Sequence, residues 1–167
     1  MKHFDIIKPE ELSDNPFRLI GKDWTLITAG TIDAYNTMTA SWGGLGILWN
    51  KPAATVYVRP TRHTYEFMEK HGEFTLSFFS EEYRSALNFC GSKSGRDYDK
   101  ALETGLSPMA FGSSVAFEQA RLVLLCKKIY FQDMDSRNFL DDGAEKFYPA
   151  KDYHRIYIGE VLKIFKE

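Results

Sequence analysis

Two arginines, Arg59 and Arg62, stand three residues apart in "VRPTRHT", where a β-prone run gives way to a helical one. The first backbone N–H groups of a helix have no carbonyl partners of their own, so such a junction is a natural seat for an anion. Thr64 adds a hydroxyl, and the two guanidinium groups can add charge-assisted hydrogen bonds. The helix terminus itself contributes only about 0.3–1 kcal/mol toward an anion at an exposed site, so a phosphate needs the arginines as well. A plainer reading stands beside this one, in which Thr64 caps the helix and both arginines face water. A second cluster, "NFCGSKSGRDYDK" over 88–100, leaves a helix through Gly91, Ser92, Lys93, Ser94, Gly95 and Arg96. Glycine allows close backbone approach to a ligand, and Lys93 or Arg96 supplies charge; the same residues also suit a helix end and surface turn. A third stretch, "NTMTASWG", puts Asn36, Thr39, Ser41 and Trp42 on a strand-like segment crowded with hydroxyls, an amide and an indole. A phosphate seat, polar groups for the edges of a heterocycle and an adjacent indole together point to a planar, phosphorylated ligand.

Other chemistries find no support. The histidines, His3, His63, His71 and His154, are far apart, and no H-E-x-x-H, G-x-S-x-G, Walker A or G-x-G-x-x-G pattern occurs, so neither a metal site nor a hydrolase is expected. In "DMDSRNFLDD" (133–142) Arg137 stands where a calcium loop needs an oxygen ligand, which leaves a solvated loop. Cys90 and Cys126 form no C-x-x-C pair, and reduced thiols are expected. The formal charge of -2, with both signs interspersed, gives no footprint for a nucleic acid. No apolar stretch reaches the length of a membrane span, and Asp5, Glu10 and Glu11 interrupt any export signal, so a cytoplasmic location is expected.

The elements that must carry these clusters are mostly strands. No repeat, linker or low-complexity tract divides the 167 residues, which read as one domain over 1–167. Strand-like runs occupy 24–31, 37–43, 53–58 and 73–79, and two long ones follow at 121–131 and 154–165. Short helices are expected from Thr61 or Thr64 to His71, after Ser80, and from Asp97 to Glu103. Many strands with few helices indicate a mainly β fold, an antiparallel β-barrel with short α-helical excursions.

The three clusters, "EFTLSFF" between them and the C-terminal "AKDYHRIYIGEVL" resemble, in order and over most of the chain, the flavin reductase-like family of FMN-binding split barrels, within it the flavoredoxin-like branch. The resemblance implies a six-stranded Greek-key split barrel and a homodimer with FMN near the subunit interface. It also implies that Asn36, Thr37, Met38, Thr39, Ala40, Ser41 and Trp42 line the flavin, largely through backbone groups. Arg59, Arg62 and Thr64 would hold phosphate and ribityl oxygens, and Cys90, Gly91, Ser92, Lys93 and Ser94 would close over the cofactor. For Cys90 a buried, inert thiol is the better expectation. The flavin would carry the chemistry, with no catalytic side chain required, and NADH or NADPH would bind transiently over the flavin face. His154 is a candidate on the substrate side. Two functions follow: an NAD(P)H-dependent flavin reductase that passes electrons to an acceptor, or an FMN-binding electron carrier reduced by a partner protein.

Overall fold

The structure is a computed structural model and describes residues 3–167; Met1 and Lys2 of the domain expected over 1–167 lie outside it. In chain order its elements are β1 (Asp5–Ile7), α1 (Pro16–Arg18), β2 (Thr25–Thr31), β3 (Ala34–Ala40), β4 (Gly43–Leu48), β5 (Lys51–Val58), α2 (His63–Lys70), β6 (Glu73–Phe78), α3 (Arg84–Ser92), α4 (Lys100–Thr104), β7 (Pro108–Phe111), β8 (Ser114–Phe117), β9 (Leu122–Asp133) and β10 (Arg155–Lys166). The fold is mainly β with short helices, as expected. All six anticipated strand regions form, as β2, β3, β5, β6, β9 and β10.

The strand number is corrected. The main sheet has eight strands, and β7 and β8 form a separate hairpin. β1 is too short to show a pattern, and the "GGLGIL" of β4 is rich in glycine, which weakens any local strand signal. Pairing with β5 makes β4 a strand: Trp49 and Asn50 connect the two with φ of 52° and 59°, the backbone a two-residue hairpin turn requires.

Closure of the sheet follows from its order, β3-β2-β6-β9-β10-β5-β4, with β1 alongside the end of β10. β3 and β4 occupy opposite ends of that path, yet only Ser41 and Trp42 separate them in the chain. So short a link spans at most about 10 Å, and the sheet must therefore curl until its edges meet. The barrel closes along a seam where β3 passes into β4 without a shared ladder among the described residues.

Opposite the seam, β2, β6 and β9 form a wall buried on both faces. Ile27, Phe74, Leu76, Leu124 and Tyr157 fill the barrel interior. Leu26, Phe79, Leu87, Phe117 and Val123 pack in a second core under α3 and the β7–β8 hairpin. Double burial makes the start of β9, Leu122 to Cys126, a continuous apolar run, while β2 and β6 also bury Thr25, Thr28, Thr75 and Ser77; each fully buried Leu or Phe contributes about 1.5–3 kcal/mol. Among the described residues no helix is long and apolar enough to cross a membrane.

Helix ends depart from expectation in four places. Thr64 does not cap α2: the N-cap is Arg62, whose side chain makes no capping bond to the helix, and Thr64 lies inside the helix and is buried. Cys90, Gly91 and Ser92 belong to the last turn of α3 rather than to the loop after it. Ser80 bonds no backbone amide; its hydroxyl donates to Glu82 instead. The third helix begins later than expected, at Lys100, where the Asp99 carboxylate accepts from Ala101 and Leu102 N–H, and it ends at Gly105 with φ of 69°.

Candidate functional site

One cleft opens at the seam and a second lies beside it, and Arg62 lines both. The larger, about 210 Å³, is bounded by Met38, Thr39, Ala40, Ser41 and Trp42 on one side and by Tyr57, Arg59 and His154 on the other. The smaller, about 110 Å³, lies between the start of α2 (Thr61, His63, Thr64) and the loop after α3 (Ser92, Lys93, Ser94, Gly95), with Lys100 beside it.

The small cleft is built for negative charge. Arg62, Lys93 and Lys100 line it together with the first amides of α2, and no carboxylate does. Arg62 donates to the carbonyls of Gly91 (2.8 Å) and Cys90 (3.3 Å), so its charge sits at the C-terminal end of α3. Burial, reinforced by Arg59, draws its guanidinium below the ordinary value. The buried Lys100 ammonium donates to Thr37 O (2.7 Å) and Cys90 O (2.8 Å), tying β3 to α3. Burial and then the charge of Arg62 pull it down to about 8, against the opposing influence of Cys90. His63 Nδ1 is buried there without a hydrogen bond, although Glu66 Oε1 lies 3.4 Å away. Arg96 fastens the loop to α2 by donating to Thr61 O and pairing with Glu66. An added Cβ on Gly95 would fall 1.9 Å from Asn36 Oδ1, so only glycine lets this loop lie against β3.

The larger cleft sets the rings of Trp42, Tyr57 and His154 beside the two arginines. Trp42 is 42 % exposed and meets Phe147 edge-on at 5.3 Å and His154 at 5.4 Å. His154 Nδ1 shares a 2.7 Å hydrogen bond with the Tyr148 hydroxyl. Burial, with Arg59 adding to it and Asp152 opposing, lowers His154 to about 4, so the ring is neutral at physiological pH.

Several expected site residues have side chains bonded within the fold, which leaves their backbone groups as what they could offer a ligand. Asn36 is buried and donates to Thr64 Oγ1 at 2.8 Å, so the two bridge β3 and α2, with Thr64 at the wall of the smaller cleft. Thr37 points toward β2, bonding Thr28 Oγ1 and Ile27 O, and Thr39 donates to Leu87 O. Cys90 is fully buried, and burial raises its thiol to about 11, which leaves it protonated and unreactive. Lys93 lies over the Tyr98 ring at 5.6 Å, and Ser94 Oγ accepts from Arg96 N–H. Sequence reasoning passed over Lys100, Tyr57, Tyr148 and Asp152. Only Lys100 carried a local signal, as the last residue of the "SGRDYDK" cluster one position after a helix cap.

The family's sequence description, Flavin reductase like domain, matches residues 17–166. The chain belongs to this family. Solved structures with the same fold include an FMN-binding domain of a flavin reductases-like enzyme from Shewanella baltica OS155, with TM-score 0.69 and 20% identity over 98% of this chain and 77% of that one. The flavoredoxin of Desulfovibrio vulgaris (Miyazaki F) superposes with TM-score 0.68 at 20% identity, over 96% and 77%. A nitrilotriacetate monooxygenase component B from Mycobacterium thermoresistibile gives 0.67 at 14%, over 90% and 74%. At these identities the likeness establishes the fold, a flavin reductase-like split barrel.

Proposed function

We propose that the chain binds FMN along the seam and acts as an NAD(P)H-dependent flavin reductase that hands electrons to an acceptor. The observation that carries this reading is the carboxylate-free cleft where Arg62, Lys93 and Lys100 meet the start of α2, continuous through Arg62 with the cleft walled by Trp42. That donor set fits a phosphate dianion, and the cleft lined by Trp42, Tyr57 and His154 fits a flat ring system. Bound FMN would supply the hydride chemistry. The chain's own contribution would be position and electrostatics. Arg62 and Lys93 would hold the phosphate with the α2 amides, and the Met38–Trp42 backbone would follow the ring edge. His154, kept neutral and tied to Tyr148, would face a substrate on the open side.

A second copy of the chain is proposed to cover the seam's apolar flank. There a cleft of about 660 Å³ shares Ser41, Trp42 and Tyr57 with the larger cleft and adds Phe17, Ile20 and Leu45. Phe17, Ile47 and Trp49 are 88 %, 73 % and 62 % exposed, which is unusual for large apolar side chains. Sedimentation equilibrium should show a dimer; a monomer at all concentrations would remove this part.

The central test is a titration of the purified chain with FMN, read by visible absorption and flavin fluorescence, followed by NADH and NADPH oxidation. Tight uptake with nicotinamide turnover supports the reductase. Uptake of chemically reducible FMN without turnover would instead make the protein an electron carrier served by a partner protein. No uptake at all would sink the flavin reading.

A further inference from the structure

We propose that Arg59 docks the 134–154 segment onto the cleft, and so positions the Tyr148–His154 pair, rather than binding phosphate. The two arginines of "RPTR" diverge in the fold. Arg62 turns to α3 and lines both clefts; Arg59 lines only the aromatic one. Its Nη1 donates to Asp152 Oδ1 at 2.8 Å, its Nη2 donates to Phe147 O at 2.7 Å, and its guanidinium lies 4.8 Å from the centre of the Tyr148 ring. All three partners belong to the segment between β9 and β10. The Arg59 and Asp152 side chains are 24 % and 19 % exposed, so this ion pair is partly shielded from water and salt.

The segment has little regular structure of its own. Two 3-10 turns, Ser136–Asn138 and Ala144–Phe147, punctuate it, and Leu140 is 97 % exposed. A backbone bond from Met134 N to His154 O closes its base. Long connections of this kind are usually functional, and this one presents Phe147 to Trp42 and Tyr148 to His154 at the cleft wall. The groups around His154 are Arg59, Asp152, Tyr148, Tyr57 and Trp42. Of these, Arg59 both anchors the segment and, by its charge, disfavours protonation of the ring. The docking concerns the chain alone; its consequence for substrate access rests on the flavin reading proposed above.

The test uses Arg59→Met and Asp152→Asn in the full chain, with and without added FMN. Limited proteolysis should cut within 134–154 about tenfold faster in either variant, because local opening no longer breaks a charge-assisted bond. In Arg59→Met the His154 titration followed by NMR should rise from about 4 toward the ordinary 6.5. The ratio of FMN to riboflavin affinity should stay within about twofold of the parent, since only a phosphate ligand separates the two. Iodide should quench bound flavin more readily in both variants. Unchanged proteolysis and an unchanged His154 titration, with FMN weakened about tenfold relative to riboflavin, would make Arg59 a phosphate ligand and overturn the proposal. Asp152→Asn keeps the side-chain shape, so it decides the proteolysis arm should Arg59→Met fail to fold. A parent chain that takes up no flavin would defeat the cofactor reading while proteolysis and titration still decide the docking.

Discussion

The β2–β6–β9 wall and the β3–β4 seam are made by the same sheet, yet they solve opposite problems. Wall residues are buried on both faces and bond almost wholly to one another, so their apolar surface stabilises the fold and leaves nothing for a ligand. At the seam the ladder stops, small residues replace branched ones, and Arg62 and Lys100 satisfy backbone carbonyls that no strand or helix reaches. The difference teaches where a ligand site can sit in a closed sheet: at a place where pairing is left incomplete. Substitutions should therefore cost folding at the wall and binding at the seam.

Phe74→Ala, in the middle of the wall, should lower unfolding free energy by about 3–5 kcal/mol, read by denaturant titration, with flavin stoichiometry of the folded fraction unchanged. Equal stability with weakened flavin binding would erase the distinction. Arg62→Ala, at the seam, should weaken FMN by roughly 10–100-fold while changing riboflavin little, as loss of one or two charge-assisted bonds to phosphate requires. Equal losses for the two ligands would remove the phosphate assignment.

Lys100 links the regions through pH. Its folded pKa of about 8 lies below the value of about 10.4 expected in the unfolded chain, so the unfolded state binds more protons between those values. Stability should therefore rise as pH rises across that window, since a neutral amine still has donors for Thr37 O and Cys90 O. Preference for FMN over riboflavin should fall through the same window as the cation is lost. Lys100→Met should abolish both slopes, a result that thermal melts and fluorescence titrations at several pH values can check. The smallest effect belongs to Ser77, whose hydroxyl is buried in the wall without a partner. Ser77→Ala should leave stability unchanged or raise it by up to about 1 kcal/mol, and a clear loss would show that the hydroxyl has a partner after all.

Much of this was legible in the chain. The six strand regions show because the barrel buries one or both faces of each, which writes apolar runs or apolar alternation with β-prone Thr, Tyr and Val into the sequence. The clusters at 36–42, 59–64 and 90–94 show because small polar residues are costly in a strand and glycine is costly near a helix, so their presence asks for a reason. β4 stayed hidden because its pairing with β5, not its glycine-rich composition, makes it a strand. Thr64 looked like a cap because caps are local features, whereas its bond to Asn36 spans 28 positions.

By itself the sequence determined the fold class, the family resemblance and the residue clusters that make the candidate site, since periodicity, residue size and motif order are local properties. Tertiary structure alone decided which side chains do what there. It set Arg62 against α3 and Arg59 against Asp152, bonded the Asn36 and Thr37 side chains to Thr64 and Thr28, and buried Lys100 beside the candidate site. The physical reason is that direction and burial depend on partners brought from up to 93 residues away, as Asp152 is brought to Arg59 by the pairing of β5 with β10.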